Sequence, residues 1–395
     1  MFQSHFPVPE RYALELRYVE PKDTQTDEDI IESRTKHVPV TSEENIWTYW
    51  HAGILALPNW CKHNIISWIR LYGSDWTVRV LDTVPGSPNH ALKWIDATIL
   101  PEAFVKGTMT GPYVGLHSAG FLRGAALYEY GGVWMDVGCI LFRRLEKICW
   151  DQLADEKSPY TISYMANHFV AARKGGVFIK NWHTVFVHFW KTQTDFTGIL
   201  ASPLINFLKF VKFSDSEARG FKWDFKVDES TVIGYVGQVI AWMRLTWLRE
   251  PGADGFDGYA YWANQILLFD SGAEDWAAER IVGYKGADLL SVFTTKLDAD
   301  SESEAYKKAE ETVWRLLTHS SMQKITHGKG LTHSAHCRTL LNLPENEGKD
   351  QEKGTFGELL RWGSVCLEQT RERIEYVEPV LVAEENIIRK GVLEA

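Results

Sequence analysis

One stretch of the 395-residue chain, EYGGVWMDVGCIL at residues 129–141, constrains its fold more than any other. An apolar helical pattern runs into Gly131 and Gly132, and glycine readily takes the left-handed backbone conformation that ends a helix. Residues 133–141 are then apolar almost throughout, which is typical of a strand buried on both faces of a helix-flanked sheet. The sequence therefore predicts an α/β fold in which a helix leads directly into a central strand.

Asp136 interrupts this apolar strand. An ionised carboxylate without a partner is costly inside a sheet, so we expect Asp136 at the open end of the strand, or facing a cation or several hydrogen-bond donors. The alternative is a turn-forming aspartate before Gly138.

The residues upstream have the pattern of a strand, a helix and a second strand, at 46–50, 58–72 and 76–82. This order and spacing predict a parallel crossover, and ligands bind beyond the carboxyl ends of the strands in such sheets. Asp82 lies at such an end, which makes it a candidate binding residue. The alternative is that Asp82 forms the turn before Pro85.

The composition narrows the class of protein. A net charge of −10 argues against binding along a nucleic-acid backbone. No segment is long and apolar enough to span a bilayer, and the first 20 residues lack the basic and apolar regions of a signal peptide. The five cysteines are widely spaced and odd in number, which favours reduced thiols. We therefore expect a cytoplasmic protein without a membrane span.

The segment YGGVWMD at residues 130–136, with the helix before it and CIL at 139–141, resembles the core motif of the capsular polysaccharide synthesis proteins and related glycosyltransferases that carry a D-x-D sugar-binding motif. The resemblance implies a Rossmann-like fold of the GT-A type, with a mostly parallel central sheet flanked by helices and helical C-terminal additions. It also implies transfer of a sugar from a nucleotide diphosphate donor.

The chain departs from the family pattern around its motif, where Ala119 also occupies the position of a serine. His117 and Arg123 match the polar residue and the arginine of the preceding helix, but Gly120 occupies the position of an aspartate. In a D-x-D motif two carboxylates hold Mn²⁺ or Mg²⁺ against the donor diphosphate, whereas here Gly138 replaces the second of them. Asp136 is left as the one carboxylate of the motif, so the implied metal site is weaker.

The resemblance also assigns roles to individual residues. It implies that Asp136, Arg123 and His168 are catalytic. It implies a site for Mn²⁺ or Mg²⁺ at Asp136 and a late histidine, His327. The donor-binding candidates lie at the ends of the family's strands and in its late polar segment, and they are Tyr49, Trp50, His51, Asp82, His117, Trp134, Asn167, Lys324, His327 and Lys329.

Several of these residues have a structural alternative. Arg123 beside a buried Asp136 is equally interpreted as a paired charge. A single histidine in a strand, as at His168, is commonly a satisfied structural residue, and Trp50 is also interpreted as core. The late histidines and Cys337 offer zinc donors, but no second ligand pair completes a tetrahedral set.

We expect three parts along the chain. Residues 1–44 are polar and acidic and are interpreted as an N-terminal arm. Residues 45–340 are the GT-A-like catalytic domain that the resemblance implies. Residues 341–395 form a linker and a C-terminal helical extension, with an amphipathic helix predicted over 356–374.

The leading hypothesis is a glycosyltransferase whose partners are a nucleotide-sugar donor and a soluble, small-molecule or glycan acceptor. The 17 Trp, 15 Tyr and 19 Phe include flat apolar faces of the kind that such an acceptor would contact. The alternative is a scaffold that has lost sugar transfer, because Gly120, Gly138 and Gly234 stand where the family has carboxylates. Such a scaffold would bind a hydrophobic small molecule, with or without a lyase or cyclisation step. Asp254, Asp257 and Asp270 are the candidates to replace the third carboxylate.

Overall fold

The computed structural model describes residues 6–211, 224–325, 328 and 330–395. The strands within these residues are β1 Leu16–Tyr18, β2 Asn45–Tyr49, β3 Thr77–Leu81, β4 Gly132–Met135, β5 Cys139–Leu141, β6 Ile162–Ala166, β7 Phe169–Ala172, β8 Ile266–Leu268, β9 Met322–Lys324 and β10 Leu367–Gln369. The central sheet has the strand order β3-β2-β4-β7-β6-β8. Strand β2 is parallel to β3 and β4, and β6 is parallel to β8, whereas β7 is antiparallel to both its neighbours.

Helices cover both faces of this sheet. The longer ones are Asp27–Ser33, Asn59–Tyr72, Val114–Tyr130, Val177–His188, Glu229–Tyr235, Gly237–Thr246, Gly258–Gln265, Gly286–Thr294, Glu304–His319 and Phe356–Cys366. The short ones are Glu102–Val105, Asp151–Ala154, Thr197–Ala201, Ser271–Glu274, Ala277–Val282 and Cys337–Leu341. Successive residues of β2 alternate between two apolar cores, with Ile46 in one and Trp47 in the other. The predicted α/β class, with a mostly parallel sheet between helical layers, is confirmed.

The predicted passage from helix to strand is also present. The helix Val114–Tyr130 stops at Gly131 and Gly132, whose φ angles are +69° and +98°. A Cβ at Gly132 would lie 2.7 Å from the carbonyl oxygen of Glu43, so a side chain is excluded there by space as well as by backbone conformation. Strand β4 therefore begins immediately and lies close to the chain that enters β2.

The prediction of a single strand over residues 133–141 is wrong. The chain leaves the central sheet at Asp136, where a turn forms in which the Cys139 N–H donates to the Asp136 carbonyl at 3.1 Å. β5 then pairs antiparallel with β9, in a separate two-stranded sheet. The apolar run is continuous because both strands are buried, although they belong to different sheets. Asp136 thus lies at the carboxyl end of β4.

Two strands that are far apart in the sequence pair with each other. β1 pairs antiparallel with β10, with Leu16 opposite Gln369 and Tyr18 opposite Leu367. The C-terminal helix ends at Cys366 rather than at residue 374, because the chain continues as β10. The division into an arm, a catalytic domain and an extension stays a prediction, although β1 and β10 are packed against each other.

A buried ion pair attaches the C-terminal helix to the helix Asn59–Tyr72. Arg361 is almost fully buried, and its Nη2 lies 2.6 Å from Asp350 Oδ2. The same oxygen lies 2.9 Å from His63 Nδ1, and Arg361 also donates to Asn64 Oδ1.

Among the helices that the structure describes, none has the length and apolarity needed to cross a membrane.

Candidate active site

Asp136 is surrounded by donors at the carboxyl end of β4. Its backbone N–H donates to the carbonyl of His168 at 3.0 Å. Oδ1 accepts from Trp134 Nε1 at 2.9 Å and from Arg123 Nη2 at 3.0 Å, and Oδ2 lies 2.6 Å from Lys324 Nζ. The carboxylate therefore has the cationic partners that its position in the sheet demands.

These cations fix the charge of Asp136. Burial acts to raise its pKa, but the positive charges of Lys324 and Arg123 prevail and hold the pKa well below the ordinary value for a carboxyl group. The side chain keeps 28% exposure and lines a cavity. Asp136 is therefore an ionised group that a ligand can reach.

Arg123 connects Asp136 to the interior of the protein. It is 3% exposed, and its guanidinium lies 5.1 Å from the ring centre of Trp134. Besides Asp136, it donates to the side-chain oxygen of Gln238, whose Nε2 donates to the Gly120 carbonyl at 2.6 Å. Arg123 is thus a paired charge, as its structural alternative predicted, and it also lines the cavity.

Gly120 is required by packing. A Cβ at this position would lie 2.7 Å from a ring carbon of Phe186 and 3.2 Å from Gln238 Oε1. The aspartate of the family pattern has no room here, and the amide of Gln238 provides the second acceptor for Arg123. The loss of that carboxylate is therefore compensated within the packing of the helices.

Asp275 is a site residue that sequence reasoning missed. It is wholly buried, and its Oδ2 lies 2.6 Å from His168 Nε2. Burial raises the pKa of Asp275 well above its ordinary value. Its backbone carbonyl accepts the N–H of Lys324 at 3.0 Å, so Asp275 contacts two residues that touch Asp136. The sequence feature that could have indicated Asp275 is the pair of consecutive acidic residues, Glu274 and Asp275, directly before Trp276.

The three aspartates predicted to replace the third carboxylate of the family pattern lie away from the cavity. Asp254 is exposed. Asp257 caps the helix Gly258–Gln265 by accepting the N–H of Ala260 at 2.8 Å. Asp270 caps the helix Ser271–Glu274 and lies 3.2 Å from Arg280. Asp257 and Asp270 therefore have local structural roles, and none of the three aspartates lines the cavity.

Glu274 anchors the loop that carries Asp275. It is 2% exposed, and both its oxygens accept from Arg371, at 2.9 and 2.8 Å. Ser321 Oγ also donates to Glu274 Oε2, at 2.6 Å. The two consecutive acids therefore point to different partners, one to the C-terminal segment and one to His168.

The cavity beside Asp136 has a volume of about 1110 Å³. The predicted site residues that line it are Tyr49, Trp50, His51, Arg123, Asp136, Asn167, His168 and Lys324. These side chains come from the ends of β2 and β4, from the helix Val114–Tyr130, from the turn before β7 and from β9. The residues at the ends of β2 and β4 meet because the carboxyl ends of parallel strands share one edge of a sheet. Lys324 reaches this edge through the pairing of β9 with β5. His327 and Lys329 lie outside the described residues.

Three predicted residues lie outside the cavity lining. Asp82 accepts from the Val84 N–H at 3.0 Å and from Ser87 Oγ at 2.6 Å, which is the turn geometry given as its alternative. His117 is enclosed by aromatic rings, the nearest being Trp190 at 5.0 Å, and burial lowers its pKa to about 3. Trp134 is fully buried and contacts the site through its hydrogen bond to Asp136 and through the Arg123 guanidinium over its ring.

The charges around the cavity are strongly unequal. Among the described residues that line it, the cations are Lys106, Arg123, Lys324 and Arg338, and the one carboxylate is Asp136. Lys106 also pairs with Glu102, one helical turn away. The chain as a whole carries a net charge of −10, so this positive lining opposes the overall charge.

The rest of the lining is largely apolar. These residues come from the start of the helix Val114–Tyr130, from the helices Glu229–Tyr235 and Gly237–Thr246, and from neighbouring loops, and they include Phe104, Val105, Met109, Tyr113, Val114, Val232, Tyr235, Val236, Val239 and Leu331. The cavity therefore combines a charged region at Asp136 with a wide apolar surface.

The described residues do not fit a divalent metal ion. No group of three His, Cys, Asp or Glu side chains converges in the part of the chain that the structure describes. Both oxygens of Asp136 contact cationic groups, and a metal ion there would face Arg123 and Lys324 at close range. Of the zinc candidates, His336 has its Nε2 3.0 Å from both Thr332 Oγ1 and the Gly328 carbonyl.

Comparison with known proteins gives a consistent result. The model of the capsular polysaccharide synthesis protein family matches residues 11–202. The chain is 49% identical to the probable glycosyltransferase FCK3 of Fusarium pseudograminearum, over 99% of this chain and 100% of that protein. No solved structure matches the chain.

Two further relatives are similar over nearly their whole length. The O-glycosyltransferase braB of Annulohypoxylon truncatum is 34% identical, over 94% of this chain and 91% of that protein. The glycosyltransferase afumC of Aspergillus fumigatus is 35% identical, over 93% of this chain and 96% of that protein.

Proposed function

We propose that this chain, which belongs to the capsular polysaccharide synthesis protein family and is a glycosyltransferase, moves a sugar from a nucleoside diphosphate donor to a hydroxyl group of a small hydrophobic molecule. The observation that carries the proposal is the division of the cavity into a cationic region around Asp136 and a wide apolar surface. The names of the relatives do not favour a scaffold that has lost sugar transfer.

The cationic region suits the leaving group of this reaction. As the bond between the anomeric carbon and the phosphate oxygen breaks, its electron pair stays on the diphosphate, where negative charge grows. Lys324 and Arg123 stand beside the cavity as fixed positive charges, held in place by Asp136. Fixed cations aimed at developing charge need no reorganisation during the reaction, which makes them effective catalysts.

The apolar surface suits the acceptor. A cavity of about 1110 Å³ lined by aromatic and aliphatic side chains removes a hydrophobic molecule from water, and this burial supplies binding energy. The relative braB is named an O-glycosyltransferase, which supports an oxygen acceptor here. We assign contact with the acceptor hydroxyl to His168, which lines the cavity with its Nε2 beside Asp275.

The proposal is tested by sugar transfer. The protein is incubated with UDP-sugars and GDP-sugars and with a panel of polycyclic and aromatic alcohols, and products that have gained one sugar are detected by mass spectrometry. We expect transfer by the wild type and a rate lower by about 100-fold in Lys324→Met, the typical loss when one stabilising donor is removed.

Lys390→Met is the matched control, because it removes the same charge from an exposed position near the end of the chain. It is expected to keep wild-type activity. Failure of the wild type to transfer any sugar from either donor series, or unchanged transfer by Lys324→Met, would refute the proposal.

A further inference from the structure

We infer, on the basis of the proposed function, that the donor diphosphate is held by side-chain cations without a divalent metal ion, and that Arg338 is the cation that takes the place of the metal. This assigns a donor-binding role to a residue outside the motif and replaces the metal site that the D-x-D resemblance implies.

Asp136 has little capacity left for a metal ion. Mg²⁺ takes carboxylate oxygens at about 2.0–2.1 Å in octahedral geometry and usually shares one or two carboxylates with substrate phosphates. Here Oδ2 lies 2.6 Å from Lys324 Nζ and Oδ1 lies 3.0 Å from Arg123 Nη2. A divalent ion at either oxygen would displace a cation or stand beside it, and the glycine at position 138 offers no side-chain oxygen to offset that repulsion.

Arg338 is a cation of the cavity with no acidic partner among the described residues. It lies in the short helix Cys337–Leu341, is half-buried and lines the cavity. Its charge acts on a neighbouring lining residue, because burial raises the pKa of the Cys61 thiol and the positive charge of Arg338 opposes that rise. Cys61 belongs to the helix Asn59–Tyr72 and lines the same cavity.

The charges balance with a diphosphate. Lys324 and Arg123 together leave one positive charge after Asp136 is paired. Lys106 is paired with Glu102, which lies outside the lining. Arg338 therefore raises the excess of the remaining lining charges to two, which matches the two negative charges of a sugar nucleotide's diphosphate. A guanidinium also presents a planar pair of donors that fits two phosphate oxygens at once. The lining therefore supplies by side chains the charge that a metal ion would otherwise bring.

The test measures binding rather than turnover. Isothermal titration calorimetry is performed with UDP and GDP, and with uridine and guanosine as probes that lack phosphates, in EDTA and then in Mn²⁺. The variants are Arg338→Met, Arg338→Lys and the exposed control Arg389→Met. We expect one nucleoside diphosphate to bind the wild type equally well in EDTA and in Mn²⁺.

The variants distinguish loss of a phosphate contact from a general disturbance of the fold. Arg338→Met is expected to weaken diphosphate binding by about tenfold or more while nucleoside binding is unchanged, because a charge-assisted phosphate contact is lost. Arg338→Lys keeps the charge, so its affinity for the diphosphate is expected to lie between those of Arg338→Met and the wild type. Arg389→Met is expected to bind the diphosphate like the wild type.

The outcomes that overturn the inference are distinct from failure of the proposed function. Diphosphate binding that disappears in EDTA, or that Arg338→Met leaves unchanged, refutes the inference and leaves a nucleotide-dependent transferase standing. Absence of binding by both diphosphates, with and without Mn²⁺, refutes the inference together with the proposed donor.

Discussion

At the scale of single residues, the site is a set of contacts centred on Asp136. Arg123 and Lys324 hold its carboxylate, and its backbone N–H donates to His168. Asp275 then joins His168 through its side chain and Lys324 through its backbone. Asp275 is thus a positioning residue, because it acts through two neighbours that line the cavity.

Loss of Asp275 is expected to affect turnover more than donor binding. In Asp275→Ala the Nε2 atom of His168 loses the oxygen at 2.6 Å, so the ring is less well oriented. We expect kcat to fall by about 100-fold with little change in the KM of the donor, because small misplacements of a reacting group are costly. Steady-state kinetics measures both constants.

Asp275→Asn keeps an oxygen at this position and is expected to recover part of the lost kcat. Asp270→Asn is the control, because Asp270 caps a helix at a more exposed position. Equal losses in kcat and donor affinity, or no recovery by Asn, would contradict the positioning role.

Gly120 and Gly115 allow a matched test of packing on one helix. A Cβ at Gly120 would lie 2.7 Å from Phe186, whereas a Cβ at Gly115 would meet no heavy atom within 4 Å. We expect Gly120→Ala to lower the free energy of unfolding by about 1–3 kcal/mol through overpacking. Gly115→Ala is expected to raise it by about 0.5 kcal/mol, because alanine restricts the unfolded chain more than glycine. Urea unfolding measures both, and destabilisation of equal size would contradict the packing argument.

At the scale of elements, local sequence patterns predicted the helix and the start of the strand at the motif. They did not predict that the apolar run after it divides into two strands. The helix Val114–Tyr130, its glycine end and the start of β4 follow from residues adjacent in sequence. The separation of β5 from β4 depends on pairing with β9, and Lys324 of β9 lies 188 residues beyond Asp136. A continuous apolar run has the same sequence pattern whether it forms one buried strand or two buried strands in different sheets.

The ion pair between Asp350 and Arg361 attaches two helices and gives a pH-dependent stability. Burial opposes the charge, but the positive charge of Arg361 and the contact with His63 lower the pKa of Asp350 to about 2. A carboxyl whose pKa is lower in the folded protein stabilises it above the unfolded pKa and loses this effect as the pH falls through the folded value. The contribution is about 2 kcal/mol near neutral pH, and it disappears between about pH 4 and pH 2.

Asp350→Asn is therefore expected to be less stable than the wild type at pH 7, with a difference that shrinks as the pH falls below about 4. Urea unfolding across this range measures the difference. A constant difference from pH 7 to pH 2 would show that Asp350 acts by packing and not by charge.

At the scale of the whole molecule, the C-terminal segment supports the site. Arg371 follows β10 and donates to both oxygens of Glu274, next to Asp275. Many of the residues predicted from the sequence line one cavity, because strand ends share one edge in a parallel sheet. Sequence reasoning missed Asp275 because its contacts are with His168 and with Lys324 of β9, which no local pattern connects to residues 274–276.

Arg371→Gln is expected to disturb both fold and site. It leaves the buried carboxylate of Glu274 without its bidentate partner, which costs about 3–5 kcal/mol. We expect a lower thermal midpoint and a reduced kcat, because the loop that carries Asp275 loses its anchor. Arg373→Gln removes an exposed arginine two residues away and serves as the control. Equal behaviour of the two variants would contradict the anchoring role.

The pairing of β1 with β10 also has a consequence for biosynthesis. Arg17 and Glu368, which face each other across this pair, are 351 residues apart. At about 5–20 residues per second, a ribosome needs roughly 20–70 s to produce the second strand after the first. During that interval β1 is an edge without a partner and the loop at Glu274 lacks Arg371, so a nascent chain has neither a closed fold nor an anchored active-site loop until translation passes residue 371.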